Sequence, residues 1–154
     1  MPITMITGDL FDAGLPAVGH GCNCAGAMGA GIAVTFRRRY PDMYREYRQR
    51  CSDGRFRLGE IFVWEAPDLV VYNLATQPVP GPSATLDAID ASVRAALADA
   101  QQRELPRLGI PRIGAGLGGL QWTDVAEVLP RASADSPVDL VVVSLPDAVQ
   151  RNNG

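Results

Sequence analysis

Pro111-Arg-Ile-Gly-Ala-Gly-Leu-Gly-Gly-Leu-Gln-Trp122 is the stretch on which the fold turns. Just before and into it, the apolar run Leu108 to Ile113 reads as a buried strand. After it, Trp122, Val125, Val128 and Leu129 recur at helical spacing, with Pro130 predicted to end the helix. The connection, Gly114 to Gly119, lets backbone N–H groups turn toward one point, and the helix start behind it adds positive potential, so the loop suits an anion. Residues 114, 116 and 119 also fit G-x-G-x-x-G, the dinucleotide-fold pattern. Its place in the chain excludes that fold, which opens with the fingerprint and needs several βα units beyond it. Here only about one strand, Leu140 to Leu145, follows.

The same arrangement occurs upstream. Cys24-Ala-Gly-Ala-Met-Gly-Ala-Gly31 leaves a predicted strand, Ala17 to Cys22, and enters a helix marked by Ile32, Ala33, Phe36 and Tyr40 and interrupted by Pro41. Either loop alone could be glycine closing a tight turn. Two in the same strand-to-helix context point to a clamp for a diphosphate.

Working outward, Ile3 to Thr7 is a first short strand, separated from Ala17 to Cys22 by Asp12, Gly14 and Pro16. A second short helix carries Tyr44, Tyr47 and Cys51 on one face and stops at Ser52, Asp53 and Gly54. Ile61 to Glu65 and Leu69 to Ala75, joined through Pro67 and Asp68, read as a hairpin or neighbouring strands. Leu86, Ile89, Val93, Leu97 and Ala100 give a helix from about Thr85 to Leu105. Alternating strands and helices with buried, valine-rich strands predict an α/β fold of three α/β/α layers around a mixed, mostly parallel sheet.

At 154 residues and 47% hydrophobic content, the chain is expected to form a single domain over residues 1–149, followed by a frayed tail from Gln150 to Gly154. A formal charge of -3 gives no bulk attraction to phosphate backbones, so affinity for an anion has to come from a local, preformed site. No apolar run approaches the roughly 20 residues needed to cross a bilayer. Three cysteines, Cys22, Cys24 and Cys51, without a secretory signal fit reduced thiols. The expectation is a cytoplasmic monomer without a membrane partner.

Four strings, Thr7-Gly-Asp-Leu-Phe11, His20-Gly-Cys-Asn23, Met28-Gly-Ala-Gly-Ile-Ala33 and Pro111 to Trp122, resemble macrodomains in that order and at similar separations. The resemblance spans almost the whole chain. It is nearest to the branch containing the terminal ADP-ribose protein glycohydrolase and the macrodomain antitoxins that remove ADP-ribose from DNA. It implies an ADP-ribose site formed by Asp9, Leu10, Asn23, Met28, Gly29, Ala30, Gly31, Ile32, Thr76 and the loop Gly114, Ala115, Gly116, Leu117, Gly118 and Gly119, with no cofactor and no metal. By the same resemblance Asp9 accepts from the adenine amino group, for which an acceptor-only carboxylate is suited, and Asn23 meets the distal ribose. From the residues alone, Asp9 could instead cap a turn, and Asn23 could be a buried strand-end amide satisfied by backbone.

Two departures matter. Gln77 stands at the apparent place of a catalytic lysine in the ADP-ribosyl-glutamate and DNA-directed relatives, and Gly118 stands where the terminal glycohydrolase has an aspartate. A lysyl adduct is therefore not available at this position. A glutamate leaving group, whose carboxyl ordinarily titrates at about 4.3, departs without general-acid help, so hydrolysis survives as a reading with Asn23 and Gln77 as the catalytic pair orienting sugar or water. The expected partners are ADP-ribose and mono-ADP-ribosylated proteins, with ADP-ribosylated nucleic acid as an alternative. A reader that binds ADP-ribose without turnover is the competing class.

The remaining candidates are blander. His20 with Cys22 and Cys24 raises the thought of zinc, but the positions alternate along a strand and no fourth ligand is evident. Arg37, Arg38 and Arg39 read as a solvated helix end. Trp122 is expected to pack beside the second loop, and the position after the last strand, where an aromatic lid over adenine would stand, reads Leu145-Pro146.

Overall fold

The computed structural model describes residues 3–146. The tail from Gln150 to Gly154 and the end of the domain at 149 lie outside the described residues. Chain order is β1 (Ile3–Thr7), β2 (Ala17–Asn23), α1 (Ile32–Arg39), α2 (Pro41–Ser52), β3 (Ile61–Glu65), β4 (Val70–Gln77), α3 (Leu86–Gln102), β5 (Arg107–Ile110), α4 (Trp122–Ser133) and β6 (Asp139–Ser144). The strands form one six-stranded sheet in the order β1-β6-β5-β2-β4-β3, parallel throughout except for the β3–β4 pair. Among the described residues, no helix is long and apolar enough to cross a membrane.

Strand alternation builds the three layers. Tyr72 and Leu74 of β4, with Leu140 and Val142 of β6, pack against Ile89, Val93 and Leu97 of α3 and Val125 and Leu129 of α4. Val71 and Ala75, with Val141 and Val143, face the other way, toward Phe36 of α1 and Met43 and Tyr47 of α2. Each central strand is thus covered on both sides, which is why its sequence is apolar at consecutive positions. Complete burial of a Leu or Val side chain contributes about 1.5–3 kcal/mol, and most of these side chains are fully buried.

Local chemistry sets the element ends. Thr85 caps α3 by accepting from the Ala88 N–H at 3.1 Å, so the helix begins one residue later than the apolar pattern suggests and ends at Gln102 rather than near Leu105. β5 stops at Ile110 rather than continuing to Ile113, because Pro111 has no N–H for the ladder. β4 runs on to Gln77, two residues beyond Ala75. β6 starts at Asp139 and ends at Ser144, before Leu145.

The expected end of α4 at Pro130 is corrected. The helix continues to Ser133 with Pro130 inside it. Val125, Leu129 and Ala132 bury one stripe across that position, and this packing outweighs the hydrogen bond that proline cannot give. Arg94 on α3 also donates from Nη2 to the Arg131 carbonyl at 3.2 Å, tying the last turn to its neighbour.

Candidate functional site

Parallel strands end at the same edge of a sheet. β2 ends at Asn23, β4 at Gln77, β5 at Ile110 and β6 at Ser144, so both glycine loops leave from one rim, the usual ligand position in an open α/β sheet. A β-bulge lies at this rim. Cys22 pairs with Ala75, but the next residue, Asn23, pairs with Gln77, leaving Thr76 as the extra residue.

Two adjoining cavities, of about 330 and 690 Å³, lie over the rim. The smaller is lined by Asn23, Met28, Gly29, Ala30, Thr76, Gln77, Gly114 and Gly118 among others, and the larger by Asp9, Leu10, Phe11, Gly116, Val143, Ser144 and Leu145. Gly31, Ile32, Pro111, Arg112, Ala115 and Leu117 line both, so the two are lobes of one groove meeting between the loops. Of the residues expected at the site, only Gly119 lines neither lobe. It has φ of +86°, and a β-carbon there would lie 2.5 Å from Pro82 Cβ, so it is glycine because the chain after β4 crosses it.

Gly31 is the N-cap of α1, with φ 61° and ψ -147° and no side-chain cap. This backbone conformation is essentially restricted to glycine, and it leaves the first turn of α1 uncapped at the seam between lobes. Leu117 Cδ1 would lie 3.1 Å from a β-carbon on Gly31, so the two loops nearly touch there.

Asn23 is almost fully buried, and its amide is committed locally. Its Oδ1 accepts from the N–H groups of Ala25 and Ala27 at 3.0 and 3.2 Å, and its Nδ2 donates to the Ala27 carbonyl at 2.8 Å. The Tyr47 hydroxyl, from α2, donates to the Asn23 backbone carbonyl at 2.7 Å and lies 3.0 Å from its Oδ1. Asn23 thus shapes the first loop, as the strand-end alternative had it, while still lining the smaller lobe. Helical spacing put Tyr47 on a buried face but carried no sign of where its hydroxyl would go.

Gln77 is equally engaged through its nitrogen. Nε2 donates to the carbonyls of Val79 and Gly81, both at 2.8 Å, so only Oε1 remains to act in the lobe. That oxygen would lie 3.5 Å from a β-carbon on Gly118, and Ala84 Cβ would lie at 3.1 Å, which leaves little room for a longer side chain at 118. Gly118 is held in turn by its carbonyl, which accepts from the Ala84 N–H at 3.2 Å. All 14 basic residues are arginine, so the chain contains no lysine at all.

In the larger lobe, which Asp9 lines, Asp9 Oδ1 accepts from the Phe11 N–H at 2.9 Å and caps the turn Leu10–Asp12. The lobe wall is apolar on one side, through Phe11, Ile32 and Val143, and Leu145 stands at its edge 57% exposed. Arg39 is not simply solvated; its guanidinium lies 4.1 Å from the centroid of Phe11. Trp122 is half-buried and packs against the α3–α4 core beside the second loop.

Arg112 is the groove residue that the sequence does not single out. It is a charged residue at the end of a buried strand, directly before an anion-type loop, and that position is the one available signal. Nε donates to Ser144 Oγ at 2.9 Å, the guanidinium lies 5.1 Å from the Trp122 ring centroid, and Nη1 is buried with no hydrogen-bond partner among the described residues.

His20 and the cysteines serve the packing. His20 is fully buried, stacked at 3.8 Å on Phe36, and its Nε2 donates to Asn73 Oδ1 at 2.7 Å. Asn73 Nδ2 donates to the Phe62 carbonyl at 3.1 Å, which fixes the amide orientation and hence the imidazole tautomer. Burial pulls the His20 pKa down to about 4, against the opposing effect of its hydrogen bond to Asn73. Burial pushes the Cys22 thiol well above its ordinary value and Cys24 up to about 11, so neither is poised as a nucleophile.

Comparison with known proteins finds a match to the family model described as Macro domain over residues 20–129. The chain is 34% identical over 145 residues to the DNA ADP-ribosyl glycohydrolase of Mycobacterium tuberculosis, a match covering 91% of this chain and 41% of that protein. It therefore spans about two fifths of the length of this relative. It is 26% identical over 148 residues to human ADP-ribose glycohydrolase OARD1, covering 93% of this chain and 91% of that one. The solved macrodomain of Mycobacterium tuberculosis DarG superposes with a TM-score of 0.83 at 34% identity, covering 92% of this chain and 96% of the other.

Proposed function

We propose that this chain, which belongs to the macrodomain family, is an ADP-ribosyl hydrolase acting without a lysine to release single ADP-ribose units from acidic side chains of proteins. The observation that carries this reading is the two-lobed groove with both glycine loops at its seam and Gln77 lining the smaller lobe, its Nε2 already committed to its own loop. In this assignment the larger lobe takes adenosine beside Asp9, the seam takes the diphosphate, and the smaller lobe takes the distal ribose. The relatives named as ADP-ribosyl glycohydrolases support hydrolysis of an ADP-ribosyl bond.

With Nε2 tied to its own loop, Gln77 offers an acceptor and nothing else. It can hold a water by one hydrogen, turning the water's lone pair toward the anomeric carbon as the carboxylate leaves. Gln77 supplies no acid, and an ester of glutamate or aspartate needs none, since its leaving group is a stable carboxylate at neutral pH. Asn23 keeps one Nδ2 hydrogen for a ribose oxygen and otherwise holds the loop that shapes the lobe. A guanidine-linked ADP-ribose, whose leaving group must be protonated, is a poor substrate on this account.

A second reading, cleavage of ADP-ribose from DNA, draws on two observations. The relatives at 34% identity are named for that activity, and the segment from 37 to 57 carries eight arginines against Asp42, Glu46 and Asp53 in a chain of net charge -3. That segment borders the first loop, where Gly26 approaches Arg48 and Cys51 of α2.

The test incubates the protein with a glutamate-modified, mono-ADP-ribosylated protein and with an ADP-ribosylated DNA oligonucleotide, and follows free ADP-ribose. Release from the protein substrate, slowed by Gln77→Ala more than binding is weakened, supports the first reading. Release from the oligonucleotide alone supports the second. Tight ADP-ribose binding with no release from either makes the protein a reader and rejects hydrolysis.

A further inference from the structure

Among the described residues, Arg112 and Asp9 are the only charged ones lining the two lobes, and Asp9 lies in the larger one. Arg112 lines both, at the seam where Gly31, Ala115 and Leu117 bring the loops together. It is thus the only cation lining the groove among the described residues, and it forms no ion pair with any of them. Ser144 Oγ and the Trp122 ring fix the guanidinium plane but neutralise nothing, and Nη1 is buried without an acceptor among the described residues. A guanidinium held this way is costly to bury unless an anion completes it.

We infer that Arg112 is a ligand-binding residue whose guanidinium donates to the diphosphate of a nucleoside-diphosphate sugar lying across the seam, and that it sets the preference for ligands with two linked phosphates. The inference rests on the assignment of the seam to diphosphate made above. The loops contribute only partial charges from N–H groups, while a diphosphate brings two full negative charges into a groove that already holds one carboxylate. Arg112 supplies the compensating charge. Its fork geometry suits two phosphate oxygens, whereas a lysine would act as a point charge. Ser144 is the positioning residue, since it holds Nε and thereby aims the rest of the fork at the seam.

The test is titration calorimetry of the full chain and its variants with ADP-ribose, ADP, inorganic pyrophosphate and adenosine at two salt concentrations. Arg112→Gln is expected to weaken ADP-ribose and ADP by roughly tenfold or more, to leave adenosine unchanged, and to flatten the salt dependence; Arg112→Lys is expected to recover part of the loss. If Arg112 only props Trp122 and Ser144, then ADP-ribose and adenosine weaken together with the salt slope unaltered, and the inference is overturned. Equal ADP-ribose affinity in wild type and Arg112→Gln overturns it as well. Should Arg112→Gln not fold, Ser144→Ala keeps the charge and loosens its aim; it is expected to weaken ADP-ribose about threefold or more with adenosine unchanged, and no change there overturns the inference. A wild type that ignores ADP-ribose but binds pyrophosphate in an Arg112-dependent way would refute the proposed function and leave Arg112 as an anion ligand.

Discussion

Asn23 and Gln77 are register partners, brought opposite one another because Thr76 is bulged out of the β2–β4 ladder. In an unbroken ladder Asn23 would face Thr76. The bulge instead puts two amides at the mouth of the smaller lobe, each spending most of its hydrogen bonds on the loop that follows its own strand. Both side chains therefore couple loop shape to whatever occupies the lobe.

Truncating Asn23 exposes that coupling. Asn23→Ala leaves the Ala25 and Ala27 N–H groups and the Ala27 carbonyl without their present partner, and is expected to cost about 1–3 kcal/mol of stability as well as ADP-ribose affinity. Tyr47→Phe removes only the hydroxyl above it and should cost about 1 kcal/mol. Urea unfolding of both variants, alongside calorimetry, checks the order.

Gly31 is a sharper probe of the seam. Gly31→Ala places a β-carbon 3.1 Å from Leu117 at a backbone conformation that L-residues avoid. The expected outcome is a loss of about 1–3 kcal/mol in stability and of ADP-ribose affinity by at least about tenfold, read by thermal unfolding with and without ligand.

His20 makes stability depend on pH. Its folded pKa of about 4 lies below the unfolded value of 6.5, so between those limits the unfolded chain binds more protons and stability rises with pH. The contribution is absent above pH 6.5 and grows to a destabilisation of roughly 3 kcal/mol below pH 4. Unfolding free energies of wild type and His20→Gln across that pH range test this, with the variant expected to lose this component of the slope.

Pro130 predicts a gain. It is exposed, inside α4, and denies the Ala126 carbonyl its usual donor. Pro130→Ala should raise stability by about 1–3 kcal/mol, less whatever the freer unfolded chain takes back, as measured by chemical denaturation.

The layers and both loops are legible in the sequence because their signals are local: valine runs for doubly covered strands, and glycine between a strand and a helix for an anion loop. Pro130 misleads because an apolar stripe across α4 outweighs a local preference, and such a stripe is recognised only once the sheet beneath it is known. Thr76 carries no mark of a bulge, since register is a relation between two strands. Asp9 and Asn23 each take the structural alternative, holding their own loops, while lining the groove. Arg112 is inconspicuous in the sequence because its meaning lies in what surrounds it, a buried Nη1 with no hydrogen-bond partner among the described residues.

The near contact of Leu117 with Gly31 also sets the width of the passage between the lobes. With hydrogen alone at position 31, that width depends on the rotamer of one exposed leucine, so a smaller residue at 117 is expected to widen the passage without touching the backbone of α1.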